Sequence, residues 1–186
     1  MLYGSLVIAY LFLGTAAGAL FVISAWSLLF RRAQRPSRLQ TAFEALRRRV
    51  YIAGVVLLVF AMVCLLWDLG NPGRALLVFL HPHPTVITFG AYTLAIETIV
   101  ATLLSLVSLS QGPLSLHGRA RGAVEILCCV GALATMAYTG VFLFQGGIPF
   151  WNHWSIIALF VLSSLSSGVS VVLLIDWVTQ GQSLLL

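Results

Sequence analysis

The sequence predicts an all-α integral membrane protein, a single bundle of about five transmembrane helices. Three observations indicate this class. Hydrophobic residues make up 60% of the 186 positions, and the mean hydropathy is +1.04. Only 8% of the residues are charged, whereas a soluble domain has about 25%. Five apolar runs come close to or exceed the roughly 20 residues that a helix needs to cross a bilayer.

These runs cover residues 6–30, 50–67, 86–109, 122–144 and 155–178, within one domain of residues 1–186. Each run must be helical, because the bilayer interior offers no hydrogen-bond partner to an open backbone. Small residues around Gly18 and Gly168, in the runs GTAAG and SSLSSG, are typical of helices that pack closely.

The arginines predict the orientation of the bundle. The chain has no lysine, and seven of its ten basic residues lie between Arg31 and Arg49. Arg119 and Arg121 precede the fourth run. Basic loops remain on the cytoplasmic side, so we predict an outside N-terminus and a cytoplasmic C-terminus. A basic cluster beside an apolar helix also favours the lipid bilayer over nucleic acid as the partner.

Two glutamates within the runs are candidates for proton handling, because polar groups at membrane depth are costly. Glu97 lies near the middle of the third run, which predicts a neutral or strongly paired carboxyl. Threonines and serines on the same run could line a path or hold partners; they are Thr93, Thr98, Thr102, Ser105 and Ser108. Glu125 lies four residues after Arg121, so either a simple ion pair or a proton-entry role would explain it.

Polar and aromatic residues collect in the second and fourth connections, both predicted to face outward. The second holds Asp68, Asn71, Arg74, His81 and His83; the fourth holds Trp151, Asn152 and His153. Tyr138, near the outer end of the fourth run, could bond a ligand carbonyl if it faces inward. This pattern predicts a docking surface above an amphipathic ligand pocket. Because no histidine lies within a run and no Cys-x-x-Cys occurs, we expect this chain to hold no metal, haem or iron–sulfur cluster.

Three stretches resemble signatures of one family, in the same order along the chain. They are YLFLGTAAGALF at 10–21, DLGNPGRALLVFLHPHPTVITFGAYTLA at 68–95 and YTGVFLFQGGIPFWNHW at 138–154. The sequence thereby resembles the NrfD/polysulfide reductase membrane subunits, which are related to the dimethyl sulfoxide reductase anchors.

The resemblance implies a quinone-binding membrane anchor of a respiratory oxidoreductase complex, in the cytoplasmic membrane of a bacterium or archaeon. Such a subunit is not catalytic on its own. The resemblance further implies that electrons pass between menaquinone or ubiquinone and an iron–sulfur partner, which serves a molybdopterin or multihaem cytochrome subunit, often in anaerobic respiration. The family's YTG tyrosine, placed at the quinone, matches Tyr138. From their own positions in the sequence, we expect His81 and Trp151 to complete the quinone site and Glu97 and Glu125 to relay protons. The partner would dock on the turn residues; they are Asp68, Asn71, Arg74, His83, Asn152 and His153.

The resemblance also leaves alternatives open. Family members commonly have eight or more spans, so we expect a fragment, a split protein, or a short five-span member that another membrane subunit completes. A small proton-coupled transporter or channel would use Glu97 and the hydroxyls of the third run as its pathway. A purely structural anchor would bind the partner but no quinone.

Overall fold

The computed structural model describes residues 15–32, 37–68, 86–109, 119–144 and 153–183. Within these ranges the chain forms five α-helices and no strand. They are α1 (Thr15–Arg32), α2 (Ser37–Asp68), α3 (Val86–Leu109), α4 (Arg119–Phe144) and α5 (Ser155–Ser183). The all-α class is confirmed, and each helix overlaps one of the five predicted runs.

Three of the five described helices have the length and composition of membrane spans. In α3, α4 and α5, the stretches Thr88–Leu109, Arg119–Phe142 and Ser155–Thr179 are long and apolar enough to cross a bilayer. The described part of α1 has a shorter apolar stretch, Thr15–Leu29. α2 joins an arginine-rich first part to an apolar second part.

The largest difference from the sequence prediction lies in the arginine-rich segment. We treated residues 31–49 as a loop, but α1 extends to Arg32 and α2 begins at Ser37. The first turns of α2 contain neither Pro nor Gly and are rich in Ala, Leu, Arg and Glu, which favour helix. The helix therefore carries the arginines at 47–49 into the apolar run without a break.

The first and fourth helices lie at the centre of the bundle, since α4 packs against α1, α3 and α5. α1 packs against α2, α4 and α5, and α3 packs against α2 and α4. A Cβ added to Gly18 would overlap the carbonyl group of Ser164, and one added to Gly168 would overlap the backbone of Gly18 and Ala19. The close packing predicted from the small residues is thus confirmed at the interface between α1 and α5.

The outside of the bundle is apolar. Leu159 and Leu162 on α5, Phe60 on α2 and Ile99 on α3 are each 60–67% exposed. Of the three long apolar helices, α5 is the least buried. Such a surface would be unfavourable in water and suits contact with lipid chains.

α3 and α4 run antiparallel and meet along a seam marked by two glycines. Gly90 of α3 lies against the ring of Tyr138 on α4, and Gly131 of α4 lies against the side chain of Glu97 on α3. Between these contacts each helix advances about 10 Å, or two turns. The seam therefore brings Tyr138 and Glu97 into one interface.

Candidate functional site

Tyr138 is held by packing at one end of the seam between α3 and α4. Its side chain is 4% exposed, and the position that a Cβ would take at Gly90 is filled by its ring. The ring of Phe142, one turn further along α4, lies 6.3 Å away between centroids at an angle of 45°. A phenol group is thus fixed between two helices in mainly apolar surroundings.

Glu97 lies further along the same seam and is fully buried. It stands about 16 Å from the start of α3, a helix about 36 Å long, and so near mid-membrane. Neither carboxyl oxygen has a hydrogen bond to a described residue. Thr135 of α4 faces Glu97, but its hydroxyl donates to the Gly131 carbonyl at 3.1 Å. A buried charge without hydrogen bonds is very costly, so the neutral acid is the favoured form.

The hydroxyl groups of α3 do not form the polar face that the sequence suggested. Thr93, Thr98 and Thr102 donate to the carbonyls of residues 90, 94 and 98 at 2.6–3.0 Å. Ser105 donates to the Thr102 carbonyl at 2.8 Å. Because these groups satisfy themselves within their own helix, they give little support to a pathway along α3.

Glu125 belongs to a buried ion cluster rather than to a simple surface pair. The predicted pair with Arg121 is present, with Nε and Oε1 3.4 Å apart, but the Glu125 side chain is fully buried. Arg47 of α2 brings a second guanidinium to 3.9 Å from the same oxygen. Ser27 of α1 donates to that oxygen at 2.8 Å and accepts from Arg47 at 3.1 Å. We call these four residues the arginine cluster.

The arginine cluster joins four helices at one end of the bundle. Arg121 also reaches Ser108 near the end of α3, with 3.5 Å between Nη2 and Oγ. Burial, together with the charge of Arg121, lowers the pKa of Arg47 below its ordinary value. Arg47 also lies over the ring of Phe43 and 3.9 Å from the exposed Glu44. The cluster therefore ties α1, α2, α3 and α4 together beside the ends that carry the arginines.

A hydroxyl pair lies one turn deeper than the arginine cluster. Tyr51 of α2 is fully buried, and its hydroxyl is 3.1 Å from that of Ser24 on α1. Tyr51 follows Arg47 by four residues, and Ser24 precedes Ser27 by three, so each pair shares one helix face. The sequence analysis used Arg47 only to predict topology and did not identify Ser24, Ser27 or Tyr51 as candidates. The same spacing in otherwise apolar helices is the signal that could have found them.

Much of the predicted outer surface lies outside the described residues. This holds for Asn71, Arg74, His81, His83, Trp151 and Asn152, and for the side chain of Asp68, the last residue of α2. His153 is described: it is exposed, and its carbonyl accepts from the backbone of Ile156 at 3.0 Å where α5 begins. The structure thus connects Tyr138 with Glu97, and Glu125 with the arginine cluster.

Among the described residues, no three His, Cys, Asp or Glu side chains lie close enough together to bind a metal ion. Cys64 and Cys128 are buried, Cys129 is half-buried, and all three are free thiols. That this chain holds no redox metal remains a prediction, because several histidines lie outside the described ranges.

The helices, their apolar surface and their buried polar groups define a multi-pass membrane protein. The family model described as "Polysulphide reductase, NrfD" matches residues 1–184, nearly the whole chain. The chain therefore belongs to the NrfD polysulphide reductase family. Members are membrane subunits of respiratory oxidoreductase complexes and associate with iron–sulfur subunits. No curated protein and no solved structure matches the chain.

Proposed function

We propose that this chain is the quinone-reactive subunit of its complex, exchanging electrons between menaquinone or ubiquinone and an iron–sulfur partner. That partner would serve a molybdopterin or multihaem cytochrome subunit at the cytoplasmic membrane of a bacterium or archaeon. The observation that carries this proposal is the pairing of Tyr138 and Glu97 on one buried seam. A phenol donor and a neutral acid, about 10 Å apart in apolar surroundings, suit a ligand that gains or loses protons with its electrons.

Each residue has a distinct part in this proposal. Tyr138 donates a hydrogen bond to one carbonyl of the quinone head, with His81 as the second donor and Trp151 as a stacking wall. A bound quinol supplies two electrons and two protons when it is oxidised. Glu97 gives up its own proton and takes one of these protons in its place, because a neutral acid can exchange its proton without bringing a net charge into the membrane core. The apolar exterior lets the isoprenoid tail remain in lipid.

The test is the substitution Tyr138→Phe in the intact complex. Losing one hydrogen bond to a buried carbonyl costs on the order of 1 kcal/mol, and more where the partner stays unsatisfied. Quinol-dependent reduction of the iron–sulfur partner should therefore fall about tenfold or more. The complex should still assemble, because the ring that fills the space at Gly90 is kept.

Tyr92→Phe is a matched control. It removes a phenolic hydroxyl from α3, two residues after Gly90 and so on a different side of the helix from Tyr138. Quinol use should stay normal in this variant. Normal quinol kinetics in both Tyr138→Phe and His81→Ala, with full assembly, would exclude this site and favour the structural anchor.

A further inference from the structure

We propose that Tyr51 and Ser24 form the middle of a proton path that joins Glu97 to the arginine cluster. This inference rests on the proposed proton exchange at Glu97 and extends it toward the end of the bundle that carries the arginines. It assigns a role to a hydroxyl pair that lies about three turns from the seam contact between Tyr138 and Gly90 and that the quinone site does not use.

One face of α4 provides the first part of the path. Gly131 lies against Glu97, Cys128 follows one turn nearer the arginine end, and Glu125 one turn beyond that. Ser27 of α1 donates to Glu125 of α4, and Ser24 and Cys128 each lie one turn deeper on these two helices, so they occupy the same level of the bundle. This face therefore leads from the seam to the arginine cluster in two steps of one turn each.

The facing helices provide the second part. The hydroxyls of Ser24 and Tyr51 are 3.1 Å apart, and both side chains are fully buried. Tyr51 follows Arg47 by one turn of α2, and Ser24 precedes Ser27 by one turn of α1, so the hydroxyl pair lies one turn deeper than the ion cluster. One turn along α1, Ser27 donates to Glu125 at 2.8 Å. Buried polar groups thus run from the membrane centre to the arginine cluster.

The hydrogen bonds of these groups favour conduction over packing alone. Ser24 and Ser27 bond to side chains on other helices, at 3.1 and 2.8 Å. Thr102 and Ser105 bond instead to carbonyls of their own helix. A hydroxyl that bonds to another hydroxyl can accept a proton on one side and release its own on the other. Hydroxyl groups that are committed to backbone carbonyls lack this freedom.

The proton balance is as follows. Oxidation of one quinol sends two electrons to the iron–sulfur partner and one proton out at the Tyr138 end. The other proton moves to Glu97, and the O–H bond of Glu97 breaks as the chain of thiol and hydroxyl groups passes one proton on. At the end of the path, the carboxylate of Glu125 accepts a proton from the Ser27 hydroxyl, which regains one from the groups before it. Glu125 then gives that proton to water beside Arg121, whose side chain is 17% exposed, and is a carboxylate again. Quinone reduction would run the same steps in reverse.

The experiment uses the intact complex in lipid vesicles, sorted by the side on which the iron–sulfur partner is exposed. A trapped pH-sensitive dye and an external one report protons on each side while quinol is oxidised. In the wild type, half of the protons should appear on the side of the arginine end. In Tyr51→Phe this share should fall to near zero, and turnover should slow about tenfold or more at an unchanged KM for quinol.

Ser24→Ala provides a second variant that removes little volume, and Ser24→Thr should restore the proton yield because it keeps the hydroxyl. Tyr92→Phe is the control for loss of a phenol. Wild-type proton distribution in active Tyr51→Phe and Ser24→Ala complexes would overturn the path, as would a wild type that releases every proton on the Tyr138 side. If Tyr138→Phe also has normal kinetics, the quinone site is wrong as well; if it is impaired, only the path fails.

Discussion

Glu97 and Glu125 are both fully buried in this membrane bundle, yet their surroundings are opposite. Glu125 has a serine hydroxyl at 2.8 Å and two guanidinium groups at 3.4 and 3.9 Å from one oxygen. Glu97 has no hydrogen bond to a described residue, and a glycine lies against it. Burial alone therefore does not decide what a carboxyl does in a membrane. The cations and hydrogen-bond donors around the carboxyl group determine its role.

The contrast assigns different states to the two acids. The buried Arg47 and the partly exposed Arg121 pair with the Glu125 carboxylate, and removing either charge would strand the other. Neither carboxyl oxygen of Glu97 has a hydrogen bond to a described residue, so the neutral acid is favoured. Glu125 links helices, and we propose that Glu97 holds a proton that can be exchanged.

The largest effect on stability is expected for Glu125→Gln. This change leaves Arg47, whose side chain is 8% exposed, and Arg121 without their carboxylate. Breaking a buried ion pair from one side costs about 3–5 kcal/mol. The variant should lose that much unfolding free energy, measured by denaturing-detergent titration of the purified complex in mixed micelles.

Glu44→Gln is the matched control for Glu125→Gln. The Glu44 side chain is 64% exposed and 3.9 Å from Arg47, so its removal should cost less than about 1 kcal/mol. Equal losses in the two variants would mean that the arginine cluster does not tie the helices together.

A smaller effect is expected for Gly90→Ala. The added Cβ would overlap the ring of Tyr138, so α3 and α4 must separate. Overpacking of this kind costs about 1–3 kcal/mol, and quinol-dependent activity should fall because Tyr138 moves. Gly131→Ala on the same seam should be tolerated, because its Cβ would lie 3.7 Å from the Cβ of Glu97, an ordinary contact. Equal thermal stability and activity of the two variants would contradict the packing described for the seam.

Sequence alone was sufficient to predict the fold class and the burial of Glu97. Apolar runs and mid-run depth follow directly from the order of residues, so the helices and the buried acid could be predicted. The helical state of the arginine-rich start of α2 was missed. The positive charge around Arg47 was taken as the sign of a cytoplasmic loop. The residues that surround it favour helix, and this preference was not used.

The arginine cluster and the hydroxyl pair could not be assembled from sequence. Ser27, Arg47 and Glu125 lie on three helices, and only the packing of α1 against α2 and α4 brings them together. Spacing within one helix predicted the pair of Arg121 and Glu125, but it could not predict that Ser27 and Arg47 join them. The predictions for His81 and Trp151 stand untested, because both residues lie outside the described ranges.

Measuring the protonation state of Glu97 is the most direct test of the contrast between Glu97 and Glu125. Infrared spectra of the complex with isotope-labelled glutamate should contain a carbonyl band of a protonated carboxyl at pH 7. Glu97→Gln should remove that band while changing the unfolding free energy by less than about 1 kcal/mol, because a neutral amide replaces a neutral acid of similar size. Glu44→Gln should leave the band in place. A wild-type spectrum without the band, or one in which the band survives Glu97→Gln, would contradict the assignment of the exchangeable proton to Glu97.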